Sequence, residues 1–181
     1  MALALMLVVL AGCASKPEST RYYLLTAPAD AGAPTSGDRP LPQLALGAVA
    51  VPVYLQSRNI AVVMGNTEIR GARSHRWAEP LGEALRRYLQ ETLASGYTAD
   101  AAYLLDLTVH HLHGAESGAV LLDASWRVRA RGETATLHAG QFSEQVQQAG
   151  AGYDALVVAH RQLLNRFADQ VAAAVGGAGG L

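Results

Sequence analysis

Val120, Leu122, Ala124, Trp126, Val128 and Ala130 lie on one side of an extended chain, and Asp123, Ser125, Arg127, Arg129 and Arg131 on the other. Side chains that change sides at every residue match a strand, whereas helical faces repeat every 3.6 residues or so. This segment is therefore a long half-buried strand, and such a strand needs partners beside it and a layer above it. Tyr103, Leu105, Leu107 and Val109 alternate with Leu104, Asp106, Thr108 and His110 in the same way. A turn over Gly114–Gly118 joins the two. Gly132 turns the chain again into a third strand, Thr134–Val146, with a bulge expected at Gly140. The three strands predict an antiparallel meander with one solvated, arginine-bearing face.

Two segments supply the covering layer. Pro80 suits the first turn of a helix, and Leu81, Leu85, Leu89 and Leu93 then recur every four residues. Gly96 supplies the stop, and Trp77 is expected to staple the first turn. A second helix is expected from an Asp154 cap, with Leu156, Leu163, Phe167, Val171 and Ala174 as its buried stripe. Towards the N-terminus, Arg21–Ala27 and Leu44–Val53 read as strands. Ile60–Met64 and Thr67–Arg70 read as a hairpin closed by Gly65-Asn66. The four prolines of Pro28–Pro42 mark a mobile surface loop. The fold class that follows is a two-layer α/β sandwich: a mixed, largely antiparallel sheet with two amphipathic helices packed on one face.

Composition narrows the function. With 181 residues, half of them hydrophobic and 16% charged, the chain suits one well-buried core. A formal net charge of -1 lacks the strongly basic face that nucleic-acid binding needs, so no nucleic acid is expected as a partner. The single cysteine, Cys13, cannot form an internal disulfide.

Cys13 ends an uncharged apolar run, Ala2–Ala11, followed by Gly12. Ten helical residues span about 15 Å, half of a hydrocarbon core of roughly 30 Å, so the run is too short to cross. It suits the apolar part of a signal peptide with small residues at the cleavage site. The stretch Leu10-Ala11-Gly12-Cys13 resembles bacterial lipoprotein signals, which implies lipid attachment (diacylglycerol and an acyl chain such as palmitate) at Cys13. Two or three acyl chains hold a protein firmly, where one holds only marginally. The absence of Asp after Cys13 resembles lipoproteins sorted to the outer membrane. The expected organisation is a signal peptide over 1–12, a lipidated tether over 13–20, one domain over 21–175 with the mobile loop 28–42, and a flexible tail over 176–181.

Arg21-Tyr22-Tyr23-Leu24-Leu25 after this signal, Val51-Pro52-Val53-Tyr54-Leu55, and Arg76-Trp77-Ala78-Glu79-Pro80-Leu81 opening a leucine-rich helix together resemble the ABC-type transport auxiliary lipoproteins, the PqiC/YmbA-like group. Trp126 and Tyr153-Asp154-Ala155-Leu156 extend the likeness over nearly the whole chain. Relatives often carry an acidic-Arg-Pro sequence where this chain has Gln56-Ser57-Arg58. The resemblance implies a periplasm-facing outer-membrane lipoprotein that works with an MCE-domain protein and inner-membrane permease and ATPase components. Together they would move lipids or hydrophobic compounds between membranes by docking rather than catalysis, in a homo-oligomeric ring if the partner is one.

Several residues are candidates for contact with a partner, each with a structural alternative. Tyr54 and Leu55 would be exposed apolar loop residues, with Arg58 beside them. Arg76, Trp77 and Glu79 would form a docking patch or else cap the first helix and close the core. Arg127, Arg129 and Arg131 would meet headgroups or an acidic partner, or else pair with Asp106 or Asp123. His110, His111 and His113 cluster at a strand end without the further ligands a metal site needs. Ser143 with Glu144 lacks the Gly-x-Ser-x-Gly elbow of a hydrolase. No catalytic residue, metal or cofactor is assigned. The competing classes are a structural envelope lipoprotein and a metal-dependent or serine hydrolase.

Overall fold

The computed structural model describes residues 19–26, 41, 43–94 and 100–176. The signal segment, Cys13, most of the 28–42 loop, the Gly96 stop and the tail beyond 176 lie outside the described residues.

Seven strands form one sheet: β1 (Arg21–Tyr23), β2 (Leu44–Ala50), β3 (Asn59–Met64), β4 (Glu68–Trp77), β5 (Tyr103–Ala115), β6 (Ala119–Ala130) and β7 (Thr136–Gln147). Its order is β1-β4-β3-β5-β6-β7, and β2 also pairs with β5. The meander is β5-β6-β7, antiparallel throughout. On its other side β5 takes two parallel partners end to end: β2 along Tyr103–Thr108 and β3 at Gly114–Ala115. The chain passes from one to the other through a 3₁₀ turn, Val53–Leu55, that follows Pro52. Proline's fixed φ and missing N–H end β2 at Ala50, three residues short of the expected boundary.

Helices α1 (Leu81–Ala94) and α2 (Tyr153–Gly176) cover one face. The alternating apolar residues of β5 and β6 join the leucines of α1 and the inner face of α2 in one core. Phe142 of β7 meets Phe167 of α2 edge-to-face at 5.6 Å. The Tyr88 hydroxyl donates to Asn165 Oδ1 at 3.0 Å, linking the helices. The outer edge of β2 lies against α1. Gln90 Oε1 accepts from the Leu46 N–H at 2.8 Å, and Arg86 donates to the Leu46 and Gly47 carbonyls. Backbone groups that β2 leaves unpaired are thus satisfied by helix side chains.

The structure corrects several expected boundaries. Strand β4 continues through Gly71 to Trp77 instead of ending at Arg70, and a three-residue connection joins it to β3. Gly114 lies inside β5, not in a turn; a Cβ there would stand 2.7 Å from Leu156 Cδ1, so the missing side chain lets α2 approach the strand. The bulge of β7 falls opposite Val128 and Arg129, while Gly140 pairs regularly with Trp126. Helix α2 begins at Tyr153, so Asp154 lies within its first turn, where a carboxylate favours the positive end of the dipole. Val175, not Ala174, ends its buried stripe.

Candidate docking surface

The residues singled out in the sequence separate into a core group and an exposed group. Leu55 is buried, which corrects its expected exposure; the exposed apolar residue of that turn is Val53. Tyr54 is half-buried, and its hydroxyl accepts the Leu112 N–H at 3.2 Å. Burial raises the pKa of this phenol, and the bond from Leu112 only partly offsets that. Trp77 is also buried, with its indole edge-on to His160 of α2 at 5.6 Å. Its backbone N–H donates to the Arg58 carbonyl at 2.7 Å. Glu79 forms an ion pair with Arg87 of α1 that ties the helix start to its second turn.

Arg58 and Arg76 remain exposed on the β3–β4 side of the sheet. Arg58 donates to the Ala78 carbonyl at 3.3 Å. Arg76 lies in register with Asn59 of β3 and Tyr22 of β1.

Arg127 and Arg129 share one carboxylate on the open face of the sheet. Their Nε atoms donate to Asp106 Oδ2 at 3.2 and 2.9 Å, and the Ala48 N–H donates to Oδ1 at 2.8 Å. The β2 bulge turns that amide outward, and Gly47 leaves room for the carboxylate, since a Cβ there would overlap Oδ1. Burial would raise the pKa of Asp106, but the bonds from Arg129, Ala48 and Arg127 outweigh it and hold the group below its ordinary value. The cluster joins β2, β5 and β6. Arg129 is mostly covered, and Arg127 is more than half exposed. A shallow groove of about 640 Å³ runs beside it, lined by small or polar residues including Ala48, Thr108, Ser125, Ala139 and Gln141.

His111 and His113 stand edge-on with ring centroids 6.0 Å apart, and His110 and His113 each have a further partner. His110 Nε2 shares a hydrogen bond with Ser125 Oγ at 3.0 Å, a cross-strand pair. His113 Nδ1 donates to the Gly114 carbonyl at 3.2 Å, and burial lowers its pKa. Among the described residues no group of three or more His, Cys, Asp or Glu could hold a metal ion.

Sequence reasoning missed two features of this surface. The pairing of Arg127 and Arg129 with Asp106 matches one of the expected alternatives, but the Ala48 amide that completes the cluster was beyond alternation, because it comes from a strand 58 residues away. Tyr22, Leu24 and Val158 are large apolar residues left exposed, although their segments read as ordinary strand and helix.

A family model for the ABC-type transport auxiliary lipoprotein component matches residues 23–172. The chain belongs to this family. Lipoproteins of the family are membrane-anchored auxiliary parts of an ABC transport system. Two solved structures share the fold. One, an uncharacterised protein, is 25% identical with a TM-score of 0.66, covering 86% of this chain and 97% of its own. The other, XCC0632 from Xanthomonas campestris, assigned to DUF330, is 15% identical with a TM-score of 0.61, covering 84% and 90%. Among curated proteins none matches the chain. The family is an auxiliary transport lipoprotein and not a known enzyme class.

Proposed function

We propose that this chain is a lipid-anchored accessory component of an ABC/MCE-type intermembrane transport system. Acyl chains on Cys13 hold the domain to the periplasm-facing side of the outer membrane, where it receives the end of a conduit for lipids or other hydrophobic compounds. The observation that carries this reading is the family match across residues 23–172, which takes in nearly all of the folded unit. The chemistry of the surface agrees with docking. Its carboxylate and arginine cluster is satisfied internally, and Arg58, Arg76 and Val53 are left exposed to solvent. Arg58 and Arg76, with Val53 and Tyr54 nearby in sequence, are the contacts assigned to an MCE-domain protein; Arg127 is the exposed member of the other arginine pair.

The intact lipoprotein, recovered from detergent extracts, tests this. Recovery of an MCE-domain protein or of permease and ATPase components is expected, and Arg58→Glu with Arg76→Glu should reduce it. Recovery of neither, with the protein intact, would favour a structural envelope lipoprotein.

A further inference from the structure

Among the described residues strand β1 forms one edge of the sheet and pairs with β4. Between it and the first turns of α2 lies an open groove of about 540 Å³. Three large apolar side chains stand exposed in its walls: Tyr22 at 61%, Leu24 at 57% and Val158 at 53%. Tyr22 comes from β1, Leu24 from the segment after it and Val158 from α2, and all three line one opening, whereas most exposed apolar residues of a soluble surface are scattered singly. Arginines frame them. Arg21 and Arg161 line the groove. Among the described residues Asp154 answers them, 3.9 Å from Arg21. Arg161 also donates to the Thr26 carbonyl at 3.4 Å. The chain as a whole carries a formal net charge of -1, so this concentration of guanidinium groups is local.

We propose that the β1–α2 groove rests on the headgroup layer of an anionic phospholipid bilayer, its apolar side chains entering the glycerol region and its arginines meeting phosphate. The chemistry is that of an interfacial surface: amphipathic tyrosine and aliphatic groups at the boundary, with cations that bind anionic headgroups. Chain connectivity favours the same occupant. Tyr22 stands nine positions after Cys13, which at about 3.5 Å each reach no further than about 32 Å. The inference rests on the proposed tether at Cys13. A tether that short keeps the edge within reach of the bilayer, so even a weak intrinsic affinity is enough to orient the domain, with its arginine-bearing open face and β7 edge left for other contacts.

Hydrogen exchange of the full-length protein, purified from membranes and reconstituted into vesicles of phosphatidylethanolamine with phosphatidylglycerol, tests the placement. Amides of segments 20–26 and 153–161 should exchange about fivefold or more slowly on these vesicles than in detergent, while 136–147 keeps its rate. Phosphatidylcholine vesicles, or Arg21→Gln with Arg161→Gln, should remove most of that protection, and Tyr22→Ser with Val158→Ser should do the same. Unchanged exchange at both segments would overturn the proposal, as would equal protection on neutral vesicles. Protection that instead rises with protein concentration in the absence of vesicles would assign the groove to a second copy. The mass of the N-terminal peptide decides the tether separately: an unmodified Cys13 thiol removes that reading, while the exchange comparison still decides the groove.

Discussion

The indole of Trp126 lies against Gly140 of the neighbouring strand, so closely that a Cβ at 140 would stand 2.7 Å from Cζ2. Trp126 is the largest residue of β6, and its ring occupies the space that a side chain at 140 would need. Among the described residues the buried indole N–H has no hydrogen-bond partner, which leaves the ring held by packing.

Gly140→Ala should therefore destabilise the fold by about 1–3 kcal/mol through overpacking. Trp126→Phe in the Gly140→Ala background should cost less than the two single changes added together, because the smaller ring relieves the clash. Urea denaturation of the four proteins in this cycle measures the coupling.

The Asp106 cluster predicts an asymmetry. Asp106→Ala removes the acceptor of three donors and should cost about 2–3 kcal/mol. Arg127→Ala removes a largely exposed partner and should cost less than about 1 kcal/mol, with Arg129→Ala between the two. Because the folded-state pKa of Asp106 lies below its ordinary value, the stabilisation is present above the ordinary carboxylate range and disappears as pH falls through the folded value. Equal losses for the two arginine variants would mean that exposure does not govern the pairs.

His160 is buried beside Trp77, its Nδ1 donating to the Leu156 carbonyl at 2.7 Å. Burial lowers its pKa from 6.5 to about 4, the bond to Leu156 opposes that shift, and nearby His113 adds to it. The unfolded chain thus takes up a proton below pH 6.5 that the native state refuses until about pH 4. Stability should fall by about 1.4 kcal/mol per pH unit across that window, with His113, also lowered, adding to the fall. Urea melts at several pH values measure the slope, which His160→Leu should make shallower.

Cys13→Ser should leave the protein as an uncleaved or soluble precursor that no longer partitions with membranes. Fractionation and intact mass check this; unchanged partition and mass would exclude lipid at Cys13.

Alternation in Val120–Ala130 and in Tyr103–Val109 determined the meander, because a side chain's face along a strand is a local property of the backbone. The four-residue recurrence of leucines determined α1 for the same reason, and the apolar run before Cys13 carried the expectation of an anchor. Local pattern could not say that Leu55 is a core residue and Val53 is not, since burial depends on what packs from elsewhere in the chain. Nor could it say that β2 and β3 share one edge of β5, that Gly114 and Gly140 make room for Leu156 and Trp126, or that Asp106 unites two arginines with the Ala48 amide. These relationships join residues far apart in the chain, and they exist only once the helices and sheet have closed on one another.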